Sequence, residues 1–92
     1  MQKVMKVKME VKVDLRLLNI YDKLAVKLKE NSTVRSLLEK LISIYGEDLK
    51  KLIAHGQKEF RVIVIVNGEM AKFDHQLKDK DELLLLLLVA GG

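Results

Sequence analysis

The chain has 92 residues, 49% hydrophobic and 33% charged, with no Cys, no Pro and a formal net charge of +4. That length supports one core but not two, and the balance is that of a folded globular chain rather than a disordered one. Disulfides, thiolate metal sites and cysteine nucleophiles are excluded, no apolar run reaches the roughly 18 residues that span a bilayer, and the opening MQKVMKVK lacks a signal-peptide core.

Those exclusions predict a cytoplasmic chain with no membrane partner. The basic balance raises nucleic acid as a partner. Its lysines, however, are scattered among 13 acidic residues, and aromatic content is only 4%, too little for a base-stacking platform.

In chain order, residues 5–13 alternate, with Met5, Val7, Met9, Val11 and Val13 on one side and Lys6, Lys8, Glu10 and Lys12 on the other. A period of two predicts a half-buried strand. Asp14 to Asp22 breaks that alternation and reads as a connection that tucks Leu15, Leu17, Leu18 or Ile20 under the core. Leu24, Val26 and Leu28 then alternate with Lys27 and Lys29, a second strand forming an antiparallel hairpin with the first. Asn31-Ser32-Thr33 supplies N-cap chemistry. Val34, Leu37, Leu38, Leu41, Ile44 and Tyr45 form one apolar helical stripe that ends at Gly46, where a left-handed C-cap is expected.

Glu47 to Ala54, with Leu49, Leu52 and Ile53 at helical spacing, predicts a short second helix. Gly56-Gln57-Lys58 reads as a loop. FRVIVIV (60–66) reads as a strand buried on both faces or nearly so. Asn67-Gly68 is a strong two-residue hairpin signal, with a return strand expected around Met70 to Phe73. Asp74 to Glu82 is polar and turn-rich with one anchor, Leu77. Leu83 to Val89 predicts a last strand, apolar on both faces and therefore in the middle of the sheet. The order predicts an α+β fold, with a mixed sheet of about five strands on one main helix and a second short helix.

The chain ends in Gly91-Gly92, which serves no strand, cap or turn. A thin tail that enters a narrow partner site and an ordinary frayed terminus both account for the pair.

Four segments together resemble one family. They are Ser32-Thr33-Val34 at the helix start, Val66-Asn67-Gly68-Glu69, Leu77-Lys78-Asp79-Lys80-Asp81-Glu82, and the terminal Val89-Ala90-Gly91-Gly92. The chain looks like the β-grasp sulfur carriers related to ubiquitin, most of all the molybdopterin synthase small subunit, with the thiazole-pathway carrier further away. The resemblance implies a β-grasp domain over residues 1–89 and a flexible tail over 90–92. One departure stands out: Leu87-Leu88 occupies the place of the proline pair usual in the molybdopterin carriers. A proline pair would stiffen the tail and end the ladder, so here the last strand is expected to continue further.

The resemblance also implies the chemistry. An E1-like adenylating enzyme would use ATP to activate Gly92, sulfur would replace the adenylate, and the thiocarboxylate would donate its sulfur inside a molybdopterin synthase large subunit or a thiazole synthase. Val89, Ala90 and Gly91 would form the arm that enters the partner. The chain itself would bind no cofactor and would catalyse nothing alone, acting as the small subunit of a sulfurtransferase. A ubiquitin-like modifier joined through Gly92 to lysines is an alternative, as is a non-covalent interaction module.

Other groups read as structural. His55 and His75 have no ligand spacing, so no metal site is expected, and Asp79, Asp81 and Glu82 read as a solvated turn. The parity of Arg61 and Glu82 places Ile63, Ile65, Leu84, Leu86 and Leu88 on the outer side of the sheet. Covering each is worth about 1.5–3 kcal/mol, which marks this face for a partner, with lysines of the first strand as its rim. A covering loop or a second copy of the chain is the alternative, and the charged rim favours a different protein.

Overall fold

Apolar residues at odd positions, Met9 to Leu17, build the first strand, β1 (Lys8–Arg16), in this computed structural model, which describes residues 8–17, 20–55 and 59–87. Met9, Val11, Val13, Leu15 and Leu17 are all buried. The alternation therefore does not break at Asp14, as the sequence suggested. Asp14 and Arg16 occupy the outer parity and pair with each other at 3.4 Å, while the inner row continues. Strand β2 (Tyr21–Lys29) returns antiparallel in unbroken register from Arg16↔Tyr21 to Lys8↔Lys29. Val26 and Leu28 are buried and Leu24 partly so.

Helix α1 (Val34–Tyr45) opens on a complete set of partners for its first amides. A helix leaves its first four N–H groups without intrahelical acceptors. Here the His75 carbonyl accepts from Val34 at 3.0 Å and the Phe73 carbonyl from Arg35 at 2.9 Å. The Thr33 side chain accepts from the Ser36 amide at 3.3 Å, and the Thr33 carbonyl accepts from Leu37 at 3.0 Å. Segment 73–77 is thus a brace on the helix start, pinned by buried Leu77 and the Leu77 amide bond to Ser32.

The stripe Val34, Leu37, Leu38 and Leu41 is fully buried. Ile44 is not part of it, being 51% exposed. At the last turn the cover comes from α2 (Glu47–Ile53), whose Leu49 and Ile53 fill that end of the core, and Ile42 packs there instead. Gly46 joins the two helices at φ 80, ψ −153, a backbone region open to glycine but not the left-handed cap expected from the sequence.

After α2 a short ribbon, β3 (Ala54–His55) with β4 (Glu59–Phe60), precedes β5 (Val62–Val66). The expected single strand 60–66 is therefore split at Arg61, whose amide donates to the Ile53 carbonyl. It is also not buried on both faces: Val62, Val64 and Val66 are buried, while Ile63 and Ile65 are half-exposed. Asn67 (φ 51) and Gly68 (φ 89) make the tight turn into β6 (Glu69–Ala71), both with the positive φ that such a hairpin requires. The last strand, β7 (Glu82–Leu87), lies between β1, parallel to it, and β5, antiparallel. The sheet order β2-β1-β7-β5-β6 around α1 is the β-grasp arrangement.

A hydrogen-bonded junction sets the start of β7. The Asn67 side chain accepts from the Glu82 amide at 3.0 Å and donates to the Asp81 carboxylate at 2.8 Å. The other Asp81 oxygen accepts from the Lys78 amide at 2.8 Å. Asp79 accepts from the Glu10 amide at 2.9 Å, and the Asp81 carbonyl accepts from Lys12 at 2.9 Å. At the opposite end of the molecule the Tyr45 hydroxyl donates to Asp22 at 2.6 Å, tying the end of α1 to the start of β2.

Asn67→Ala removes the donor to one oxygen of the buried Asp81 carboxylate and frees the exposed Glu82 amide, so urea unfolding should show a loss of about 1–3 kcal/mol. Burial, and then the hydrogen bond and charge of Asp22, push the Tyr45 hydroxyl pKa up to about 12 from 10.0. Since the folded state holds this proton more tightly, its contribution to stability is complete below pH 10 and is lost as pH rises toward 12. Ultraviolet titration of the phenolate should show this late step, and Asp22→Asn should move it to lower pH.

Candidate functional site

Ladder register decides which side chains of β5 and β7 meet. Ile63 pairs with Leu86 and Ile65 with Leu84, and all four are half-buried on the face away from α1. On the same strands Val62, Val64, Leu83 and Leu85 point to the core. The structure thus brings together four of the five residues that parity assigned to the outer face; Leu88 lies outside the described residues.

Two neighbours complete the face. Met70 sits opposite Ile65 across the hairpin and is 77% exposed, which extends the apolar row onto β6. Sequence reasoning missed it, although a two-residue loop at Asn67-Gly68 dictates that register. On the other side Asp14 pairs with Leu84 and Arg16 with Leu86. The rim there is an Arg16–Asp14 ion pair, with exposed Lys12 one pleat earlier, rather than lysines alone. A shallow groove of about 660 Å³ crosses this face, with Lys12, Asp14, Ile65 and Leu84 in its lining.

The tail residues Val89, Ala90, Gly91 and Gly92 lie outside the described residues. Leu87, at the place of the usual proline pair, stays in the ladder opposite Val62 with its side chain partly buried against the core.

The acidic turn departs from its sequence reading. Asp81 is buried and engaged with Asn67 and Lys78, so it is not a solvated carboxylate; Asp79 and Glu82 are exposed as expected, although Asp79 also holds the Glu10 amide. The three bridge β1, the β5–β6 turn and β7. His75 is exposed, and its carbonyl serves the start of α1. Among the described residues no group of three His, Cys, Asp or Glu is gathered as a metal site requires, and no helix is long and apolar enough to cross a membrane.

The ThiS family matches residues 15–92. Among solved structures, a protein assigned as molybdopterin converting factor subunit 1 from Pyrococcus furiosus superposes with a TM-score of 0.71 at 25% identity, over 88% of this chain and 99% of that one. Small archaeal modifier protein 1 from Methanosarcina acetivorans superposes at 0.71 with 22% identity, over 94% and 99%. The ubiquitin of Caldiarchaeum subterraneum superposes at 0.61 with 15% identity, over 94% and 100%. The last two show the fold alone. No curated protein matches the chain.

Proposed function

The chain belongs to the ThiS family, a β-grasp carrier or modifier of the ubiquitin-like kind, and we propose that it carries sulfur as a thiocarboxylate on Gly92 for molybdopterin synthesis. One observation carries the reading. The family match runs through Gly91-Gly92, and these follow the central strand β7 within five residues of its end at Leu87. The name of the Pyrococcus relative supports the molybdopterin branch over the thiazole branch.

The chemistry follows from the carboxylate. At neutral pH it is an anion and a poor electrophile. An E1-like partner supplies ATP, whose α-phosphorus the Gly92 oxygen attacks, giving an acyl adenylate and releasing pyrophosphate. A sulfide-level donor then adds to the acyl carbon, AMP leaves with the bonding pair, and a thiocarboxylate remains. Glycine at both final positions lets the backbone lie against a catalytic surface with no Cβ in the way. The chain contributes no acid, base or metal to these steps. It contributes the outer face of Ile63, Ile65, Leu84 and Leu86, where the activating enzyme and then the synthase large subunit dock in turn.

Incubation with a cognate adenylating enzyme, ATP and a sulfur donor should change the intact mass by one sulfur-for-oxygen exchange, and deleting Gly91-Gly92 should abolish it. An intact C-terminus whose mass never changes under those conditions overturns the proposal. A ladder of larger conjugates on lysines, lost on the same deletion, would assign the activated end to protein modification instead. Leu86→Asp should leave cooperative unfolding in place, since Leu86 is only half-buried, yet stop loading by removing the docking face.

A further inference from the structure

The two edges of the sheet are treated differently. On one side β6 is three residues long, short enough to offer little template for another strand. On the other, β2 is nine residues long, in unbroken register with β1, without a bulge or a proline, and no strand among the described residues pairs with its outer edge.

The ladder specifies which groups that edge presents. The Leu17 amide donates to the Ile20 carbonyl at 2.9 Å, and antiparallel bonding then alternates along the hairpin. Asp22, Leu24, Val26 and Leu28 exchange bonds with β1, so the amides and carbonyls of Tyr21, Lys23, Ala25 and Lys27 point away from the sheet, the Lys23 amide into the Asp22 carboxylate at 2.9 Å. The Lys29 carbonyl is taken by the Ser32 amide at 3.2 Å, which closes the far end.

The outer-face charges of this edge have one sign; Asp22, at its start, accepts from the Tyr45 hydroxyl and the Lys23 amide. Lys23, Lys27 and Lys29 are exposed on the outer face, and Lys40 reaches the same region from α1. Of the acidic residues across the β1 pairing, Glu10 faces Lys27 and Asp14 faces Lys23, and Asp14 is engaged by Arg16. Two β2 edges brought together would set lysines against lysines, which disfavours a second copy of the chain. On the helix side, between β2 and α1, a groove of about 610 Å³ is lined by Lys27, Leu28, Lys29, Ser36, Glu39 and Lys40.

We propose that the outer edge of β2 receives an extended acidic peptide as an added strand. Its backbone bonds Ala25 and Lys27 and donates to the Lys23 carbonyl. Alternate side chains are acidic toward the lysine row and small or apolar toward the groove beside Leu28. Main-chain bonds supply the affinity and the alternation supplies the selectivity. The site lies at the far edge of the sheet from Ile63 and Ile65 and needs no step at Gly92, so it stands or falls apart from the sulfur-carrier reading.

The test uses the full chain and a blocked synthetic peptide of alternating valine and aspartate, followed by amide NMR and anisotropy. Binding should shift and protect the amides of Ala25 and Lys27, and should weaken with salt. Replacing aspartate by lysine in the peptide should abolish binding, and the double variant Lys23→Glu, Lys27→Glu should weaken it by about tenfold or more. Ala25→Pro removes one outward amide at an edge position where proline is tolerated, and should have a similar effect with the remaining spectrum unchanged. Should that variant unfold, peptide N-methylated at alternate amides tests the same bonds from the other side and should not bind. Equal binding of the N-methylated peptide, or shifts confined to Ile63, Ile65, Leu84 and Leu86, would overturn the proposal.

Discussion

The register of β7 is the constraint on which the rest of the structure depends. In most half-buried strands the hydrophobic pattern sets register, because a slip of one residue moves the apolar set to the wrong face. Six consecutive leucines, Leu83 to Leu88, cannot do this: every register presents leucine to the core. The information comes from the residues just before the run. Asn67 holds the Glu82 amide and the Asp81 carboxylate, Asp81 holds Lys78, and the Asp81 carbonyl receives Lys12. Asp81 is buried, so an alternative register that separates its carboxylate from Asn67 and Lys78 leaves a desolvated charge without these bonds.

Once that register is set, the two faces of the sheet separate. Leu83 and Leu85 join Val13, Leu15, Val64 and Val66 against α1, while Leu84 and Leu86 face outward beside Ile65 and Ile63. The same polar segment also braces the helix, since the carbonyls of Phe73 and His75 satisfy its first amides just before Leu77 enters the core. The stretch 73–82 therefore works as the clamp between the helix start, β1 and β7. Most of its polar side chains are exposed, and the clamp is made by its backbone groups together with the buried Asp81.

Much of this was legible in the chain, for definable reasons. The Asn67-Gly68 turn, the cap at Thr33, the stripe Val34 to Leu41 and the central place of the leucine strand rest on local chemistry or simple periodicity. The errors arose where one residue type serves two environments. Asp14 and Arg16 interrupt the hydrophobic look of β1 without interrupting its parity. Asp81 looks like any turn carboxylate until Asn67, fourteen positions away, is folded against it. Ile44 fits the helical stripe, but the stripe outlasts the sheet beneath it, and only the packing of α2 shows where the cover changes hands. The outer-face residues were found by parity alone, and Met70 was missed because the hairpin register was not followed one step further.

The position of the face beside the tail also bears on how a carrier of this design would work. Leu86 lies one residue from the end of β7, so on the proposed reading the outer face adjoins the segment that leads to Gly92. Gly92 is the fifth residue after Leu87, and an extended chain of that length reaches at most roughly 17 Å. A partner seated on Leu84 and Leu86 would therefore have the carboxylate confined to a small volume at its own surface, at an effective concentration that a separate docking site could not match. Because the ladder includes Leu87, the tether from paired strand to Gly92 would be shorter than if pairing stopped at Leu86. In the family pattern a proline pair stiffens the arm; here strand pairing to Val62 holds its base instead.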